Sequence, residues 1–326
     1  MSYLINSTAV IDTASQQGVF ANVTILDASG YLLVDKLFQG TVSGYTSGGG
    51  TATSLNVIDK FPFATNTNAT DVGDLSVARR ASAGQSSAAS GYTSGGFDAS
   101  VSRTNVIDKF PFATNTNASD VGDLTVGRAG IAGQSSVRSG YTSGGNAGAL
   151  SNVIDNFPFA TNANAADVGD LTVAVQQPTG QSSTTSGYSS GGISGNSTDV
   201  IDKFPFATNT NATDVGNLTV ARGGVTGQSS GTSGYTSAGY VAGPVNVIDK
   251  FPFATDANAT DVGDVTVARE SPAGQSSTAR GYTSGGAFLP TTFYNVIDRF
   301  PFAANANASD VGDLTVGRYT PAGQQI

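Results

Sequence analysis

The chain has no cysteine, no histidine and no tryptophan among its 326 residues, and Asp, Glu, Lys and Arg together make up only 12% of it. The missing cysteine excludes disulfides, thiolate-held metals and a thiol nucleophile, and it leaves the redox compartment open. The missing histidine excludes serine–histidine and zinc–histidine hydrolysis, so among the common hydrolytic devices only a carboxylate pair survives. Long apolar runs are missing too. Nothing approaches the roughly 20 apolar residues of a membrane-spanning helix, and the opening MSYLINSTAVIDTASQQ has neither the basic start nor the apolar stretch of a secretory signal. The expectation is a chain soluble as made, without membrane insertion, that reaches the outside of a cell by a route such as lysis. Acidic residues outnumber basic ones 24 to 15, a net charge of −9, which makes nucleic acid a poor partner for the protein as a whole.

What the chain does have is repetition. Six near-copies of one unit of 47 to 49 residues run from about residue 39 to the end. GYTSGG opens at Gly44, Gly91, Gly140 and Gly281, with the variants GYSSGG at Gly187 and GYTSAG at Gly234. Phe-Pro-Phe follows at Phe61, Phe110, Phe157, Phe204, Phe251 and Phe300. DVGDLTVAR or a close variant starts at Asp71, Asp120, Asp167, Asp214, Asp261 and Asp310, and Gly-Gln comes soon after. With 42 glycines, 38% apolar residues and no long helix-period stretch, the units suit short strands joined by tight turns.

Around the second unit the pattern predicts four strands, a over 132–136, b over 140–143, c over 105–112 and d over 120–128, with a and b open to contribution from a neighbouring repeat boundary. Strand c, NVIDKFPFA, is apolar on both alternating faces, as a strand covered on both sides must be. Pro111 cannot donate a ladder hydrogen bond and marks a bulge or the end of pairing, and Thr-Asn-Thr-Asn supplies the c–d turn. Six such sheets predict an all-β fold, a six-bladed β-propeller over residues 39–326, because radial closure protects sheet edges. The array opens just before a strand b and stops just after the start of a strand a. Gln324 to Ile326 should therefore complete the first blade beside Tyr45. Residues 1–38 read as a short N-terminal β-rich arm, with alternation at Val19, Ala21, Val23 and Ile25 and a second strand over Tyr31 to Phe38. Val34-Asp35-Lys36 also echoes strand c, which admits a degenerate seventh blade. Too short to bury a core, the arm is expected to dock on the propeller or on another chain and to serve as the anchor.

The order of double glycine, variable loop, Asn-Val-Ile-Asp, hairpin and Asp-Leu-Thr-Val-Ala-Arg resembles a kelch-type propeller repeat across about 290 of the 326 residues, without the usual tryptophan. Units such as FPFATNTNATDVGDLTVAR also resemble repeat proteins of tailed bacteriophages, particularly marine ones, and LINSTAVID is similar to the start of phage fibre or appendage proteins. The resemblance implies a virion structural protein, a tail-fibre or appendage component made in the host cytoplasm. Its expected partners are other virion proteins through the arm, a host-surface glycan or protein, and further copies of itself. A secreted or surface bacterial lectin-like propeller is the alternative, and an enzyme of carboxylate chemistry the third reading. Kelch-like oxidases use histidines and a tyrosine–cysteine crosslink, so no catalytic residue carries over to a chain without His and Cys. Neither a cofactor nor a metal is expected.

Each unit repeats carboxylates equivalent to Asp59, Asp71 and Asp74 and an arginine equivalent to Arg79. Groups present in every blade are expected to hold blades together, here Asp74, Arg79, Asp123, Arg128, Arg222, Arg269 and Arg318 as inter-blade ion pairs and turn bonds. Val175 and Asn217 are the exceptions. The spacing Asn115-x-Asn117-x-x-Asp120 offers oxygens to calcium but lacks the glycine and glutamate of an EF-hand, and Asx turns explain it. Variation gathers elsewhere. The b–c loops read GTATSL, FDASVSRT, NAGALS, ISGNST, YVAGPV and AFLPTTFY, and the d–a connections RASA, AGIA, QQPT, GGVT, ESPA and YTPA. Both emerge on one rim of an up-and-down blade, where loops on a rigid frame carry binding. The aromatics Tyr240, Phe288, Phe293, Tyr294 and Tyr319 fall in these loops and are the expected ligand contacts, by sugar stacking or a protein interface.

Overall fold

A computed structural model describes residues 2–5, 9–12 and 39–326, and the chain divides into two compact units, Met1–Lys36 and Leu37–Ile326. In the first, Ser2–Ile5 pairs antiparallel with Ala9–Asp12. The strands expected over 19–25 and 31–38, and the seventh-blade echo at 34–36, lie outside the described residues.

The second unit is all β, without a helix among its described residues, and forms a six-bladed propeller of four-stranded antiparallel sheets in the order a-b-c-d. Strands a contact one another around the axis and strands d lie at the outside. The third blade is typical, with Ala132–Ser135, Ser139–Ser143, Val153–Pro158 and Ala166–Asp170. Two expectations need correction. The segments near 132 and 140 belong to this third sheet, and the second blade takes Ala83–Ser86 and Ser90–Ser94 as its strands a and b. Strand d stops at Asp123, short of Arg128. Beyond it Thr125 turns toward the next blade, where its N–H and hydroxyl donate to Asp155 and lead Arg128 into the seam. Pro111 is the last paired residue of its strand, opposite Ser90.

Chain closure follows the phase of the repeats. Ala322–Gln325 is strand a of the first blade and pairs with Ser43–Ser47, Tyr45 lying opposite Gln324.

Each seam between blades has its own small core. Tyr92 of the second blade stacks on Phe159 of the third at 4.8 Å and tilts against Phe157 at 5.5 Å, above Ile107, Leu124 and Ile131. Burial pushes the Tyr45, Tyr92 and Tyr188 phenols up to about 12. The glycine before each tyrosine makes room for a cross-strand ring: a Cβ at Gly91 would stand 2.3 Å from Cζ of Phe110.

At the axis the blades are joined by backbone. A Cβ on Gly180 would lie 2.0 Å from the Gly133 carbonyl oxygen, and the equivalent clash recurs at all six glycines of the Gly-Gln pairs. The adjoining glutamines point into the seams, where Gln134 Nε2 donates to the Tyr188 carbonyl of the next blade at 2.9 Å and Gln324 Nε2 to that of Tyr92. A glutamine at this position satisfies a buried carbonyl while filling the gap beside a residue without a side chain.

Candidate functional site

The repeated charges are consumed in the seams. Arg79, Arg128, Arg222 and Arg269 reach Asp108, Asp155, Asp249 and Asp298 of the following blade at 2.9–3.0 Å, and Arg318 reaches Asp59 across the closure. These side chains are fully buried. Burial lowers the pKa of Arg79, Arg128, Arg269 and Arg318, and the facing carboxylates oppose it. The acids come from strand c. Asp74 and Asp123, expected in that role, instead join the next blade by main chain: Asp74 N–H donates to Asn117 Oδ1, and Asp123 N–H to Asn164 Oδ1, both at 3.1 Å. Strand d ends at the outer edge, where its main chain meets the neighbouring c–d turn. Two of the three side chains of the calcium-like spacing are likewise engaged, Asn117 as above and Asp120 Oδ1 accepting from Gly122 N–H. In the seam after the third blade Val175 stands where the arginine would be. Asp202 keeps its bonds from the Thr172 N–H and hydroxyl, and burial raises its pKa.

The two rims of the ring differ. On one lie the a–b turns and the uniform c–d turns, and there the chain runs into the propeller beside the axis. Gln39 Nε2 donates to the carbonyls of Ser229 and Ser277, and Gly40 N–H to that of Ser276. The opposite rim carries every b–c loop and d–a connection. Each d–a connection forms a short antiparallel bridge with the next blade's b–c loop: Tyr319 with Gly50, Arg80 with Phe97, Ala129 with Asn146, Gln176 with Ile193, Gly223 with Tyr240 and Glu270 with Ala287. All six pairs are built from residues that differ between repeats.

At the mouth of the axial cavity, about 140 Å³ in volume, this face is braced by a closed ring of main-chain hydrogen bonds. Ala81 N–H donates to Thr320, Gly130 to Ala81, Gln177 to Gly130, Gly224 to Gln177, Ser271 to Gly224 and Thr320 to Ser271, at 2.6–3.2 Å. All six residues have φ between 50° and 64°, and four of them are not glycine. Each left-handed non-glycine residue costs about 1 kcal/mol, a strain that the ring over-determines. The variable loops thus stand on a stiff collar.

The expected ligand contacts are distributed over this face. Phe288 is 50% exposed and Tyr240 39% exposed, each in its own loop. Phe293 stacks on Tyr319 at 5.5 Å with 28° between the planes, which joins the last b–c loop to the last d–a connection. Tyr294 is half-buried and braces the loop through its main chain, donating to Gly286 and accepting from Arg318. Sequence reasoning passed over Phe97, Arg80 and Arg103. Two guanidiniums lie against the Phe97 ring, Arg80 at 5.9 Å and Arg103 at 5.4 Å from its centroid. Arg103 reaches on to Asn146 of the third blade, and Arg80 to Ser54 of the first. The signal was present in the variable segments RASA and FDASVSRT, but their pairing depends on the inter-blade bridge.

No protein-family model matches the chain, and a search of curated proteins finds no similar sequence.

Proposed function

We propose that the protein is a non-enzymatic virion component of a tailed phage, a tail-fibre or appendage protein whose kelch-like propeller presents its variable face to a host-surface glycan or protein. Residues 1–38 attach it to other virion proteins, and copies of the chain assemble with one another. The observation that carries the reading is the division of labour between rims: one carries the near-uniform c–d turns, while all the length variation of the array and the divergent d–a connections lie on the opposite one. Exposed aromatics on the variable face suit a ligand that stacks. The virion role rests on the resemblance of the FPFATNTNATDVGDLTVAR units and of LINSTAVID to phage proteins. Carboxylate chemistry has little support, because the strand c aspartates are buried and bonded.

Mass spectrometry of purified particles tests the role, with a chain lacking residues 1–38 expressed alongside. The full chain should co-purify with virions while the truncated one accumulates soluble and stays out of them. Normal incorporation of the truncated chain contradicts the anchoring role, and recovery of the full chain only in particle-free medium favours the lectin-like alternative.

A further inference from the structure

Resting on the reading that the variable face binds a ligand, we propose that a strip running from Phe293 to Arg103 binds an anionic polysaccharide. Arg80 and Arg103 hold the acidic substituent of one sugar, and the Phe293–Tyr319 stack carries a neighbouring ring.

The strip is continuous across the loops of the sixth, first and second blades. Tyr319 stacks on Phe293 and bonds to Gly50 in both directions, N–H to carbonyl at 2.9 and 3.0 Å. Because Gly50 has no side chain, Tyr319 and Arg80 close over it: the position of a Cβ there lies 3.2 Å from Tyr319 Cε1 and 3.0 Å from Arg80 Cδ. Arg80 then leads to Phe97, and Phe97 to Arg103.

Two arginines without an acid are unexpected in a chain of net charge −9. The five seam arginines are all buried and paired. Arg80 and Arg103 have no ion pair among the described residues and keep donors unused. Arg80 donates from Nη1 to Ser54 Oγ at 2.9 Å, which leaves Nε and Nη2. Arg103 donates from Nε and Nη2 to the Asn146 carbonyl and Oδ1 at 2.9 and 2.8 Å, which leaves Nη1. Both guanidiniums are fixed against the Phe97 ring, so little rotamer entropy remains to be lost on binding. Asp98, next to Phe97 in sequence, makes no ion pair with either arginine and accepts at Oδ1 from the N–H groups of Ser100 and Ser102. Glu270 belongs to another seam, where its main chain bridges to Ala287. Planar guanidinium donors match a carboxylate or a sulfate ester, and aromatic faces match sugar rings. An isolated inorganic anion would have no use for the aromatic half of the strip.

The test measures binding of the purified full chain to polygalacturonate, dextran sulfate and neutral dextran. The two charged polymers should bind more tightly than dextran, and their ranking identifies the substituent as carboxylate or sulfate. The double variant Arg80→Gln/Arg103→Gln should lose about tenfold or more in affinity for the preferred charged polymer at an unchanged melting temperature, while Tyr319→Ala weakens binding to all polymers that the wild type holds. Should the double variant unfold, competition on the wild-type protein decides: the acidic monosaccharide displaces the polymer and its neutral counterpart does not. Equal binding of charged and neutral polymers, full affinity of a folded double variant, or equal displacement by both monosaccharides overturns the proposal. Each of these leaves a ligand-binding face standing, because that reading fails separately, if loss of the rim aromatics leaves attachment to cells unchanged.

Discussion

Asp155 and Asp202 hold the same place in successive blades and face different partners. Asp155 is paired with Arg128 at 2.9 Å, whereas Asp202 has no arginine, Val175 taking that position in the sequence, and keeps the donors of Thr172. Neutralising Asp155 strands a buried guanidinium, so Asp155→Asn should destabilise the protein by about 3 kcal/mol or more. Asp202→Asn removes a carboxylate whose ionised form is disfavoured by burial, and Asn can accept from the Thr172 N–H while donating to its hydroxyl. Its folded pKa lies above the ordinary value of 3.8, so the wild-type protein loses stability from this group as pH rises from that value through the raised one. The gain from Asp202→Asn should therefore be present at pH 7 and vanish below about pH 4. Denaturant melts of both variants at the two pH values check this. A loss for Asp202→Asn at pH 7 as large as that for Asp155→Asn would contradict the assignment of roles.

Like every strand a, Ala322–Gln325 completes one blade and touches two others, but it alone joins the end of the array to its beginning. Gln324 bonds to the Tyr92 carbonyl of the second blade, Gln325 N–H to Ser86 Oγ, and a Cβ on Gly323 would strike the Gly274 carbonyl. Deleting residues 322–326 leaves strand b of the first blade without its inner neighbour and opens the axial ring. The melting temperature should fall by about 10 °C or more. An unchanged value would mean that the ring does not depend on this clasp. The strands themselves were readable because the repeat phase, the doubled apolar faces of VIDKFPF and the turn residues agree. The end of strand d was not, since Leu-Thr-Val continues the strand pattern and only the Asp155 carboxylate of the next blade draws Thr125 out of it. The acid partner of the seam arginines was hidden for the same reason: Asp74 is nearer in sequence, but Asp108 is nearer in space.

For the whole molecule, sixfold repetition builds a frame on which one face is free to vary. Stability is spread over seams, each with a tyrosine between two phenylalanines and a glutamine reaching the next blade. On the variable face, two of the inter-blade bridges set a large residue beside a small one, Tyr319 beside Gly50 and Tyr240 beside Gly223. The variable loops were legible in the sequence as the places where copies differ. Their joining into one strip was not, because each contact is made between blades. The most direct test is the attachment of fluorescently labelled protein to host cells, comparing the wild type with two sets of substitutions. One replaces Phe97, Phe293 and Tyr319 with Ala on the variable face, and the other replaces Thr65, Thr114 and Thr208 with Ala in the exposed c–d turns of the opposite rim. The first set should abolish attachment at an unchanged melting temperature and the second should leave it intact, whereas attachment that survives the first set and is lost with the second would place recognition on the wrong face.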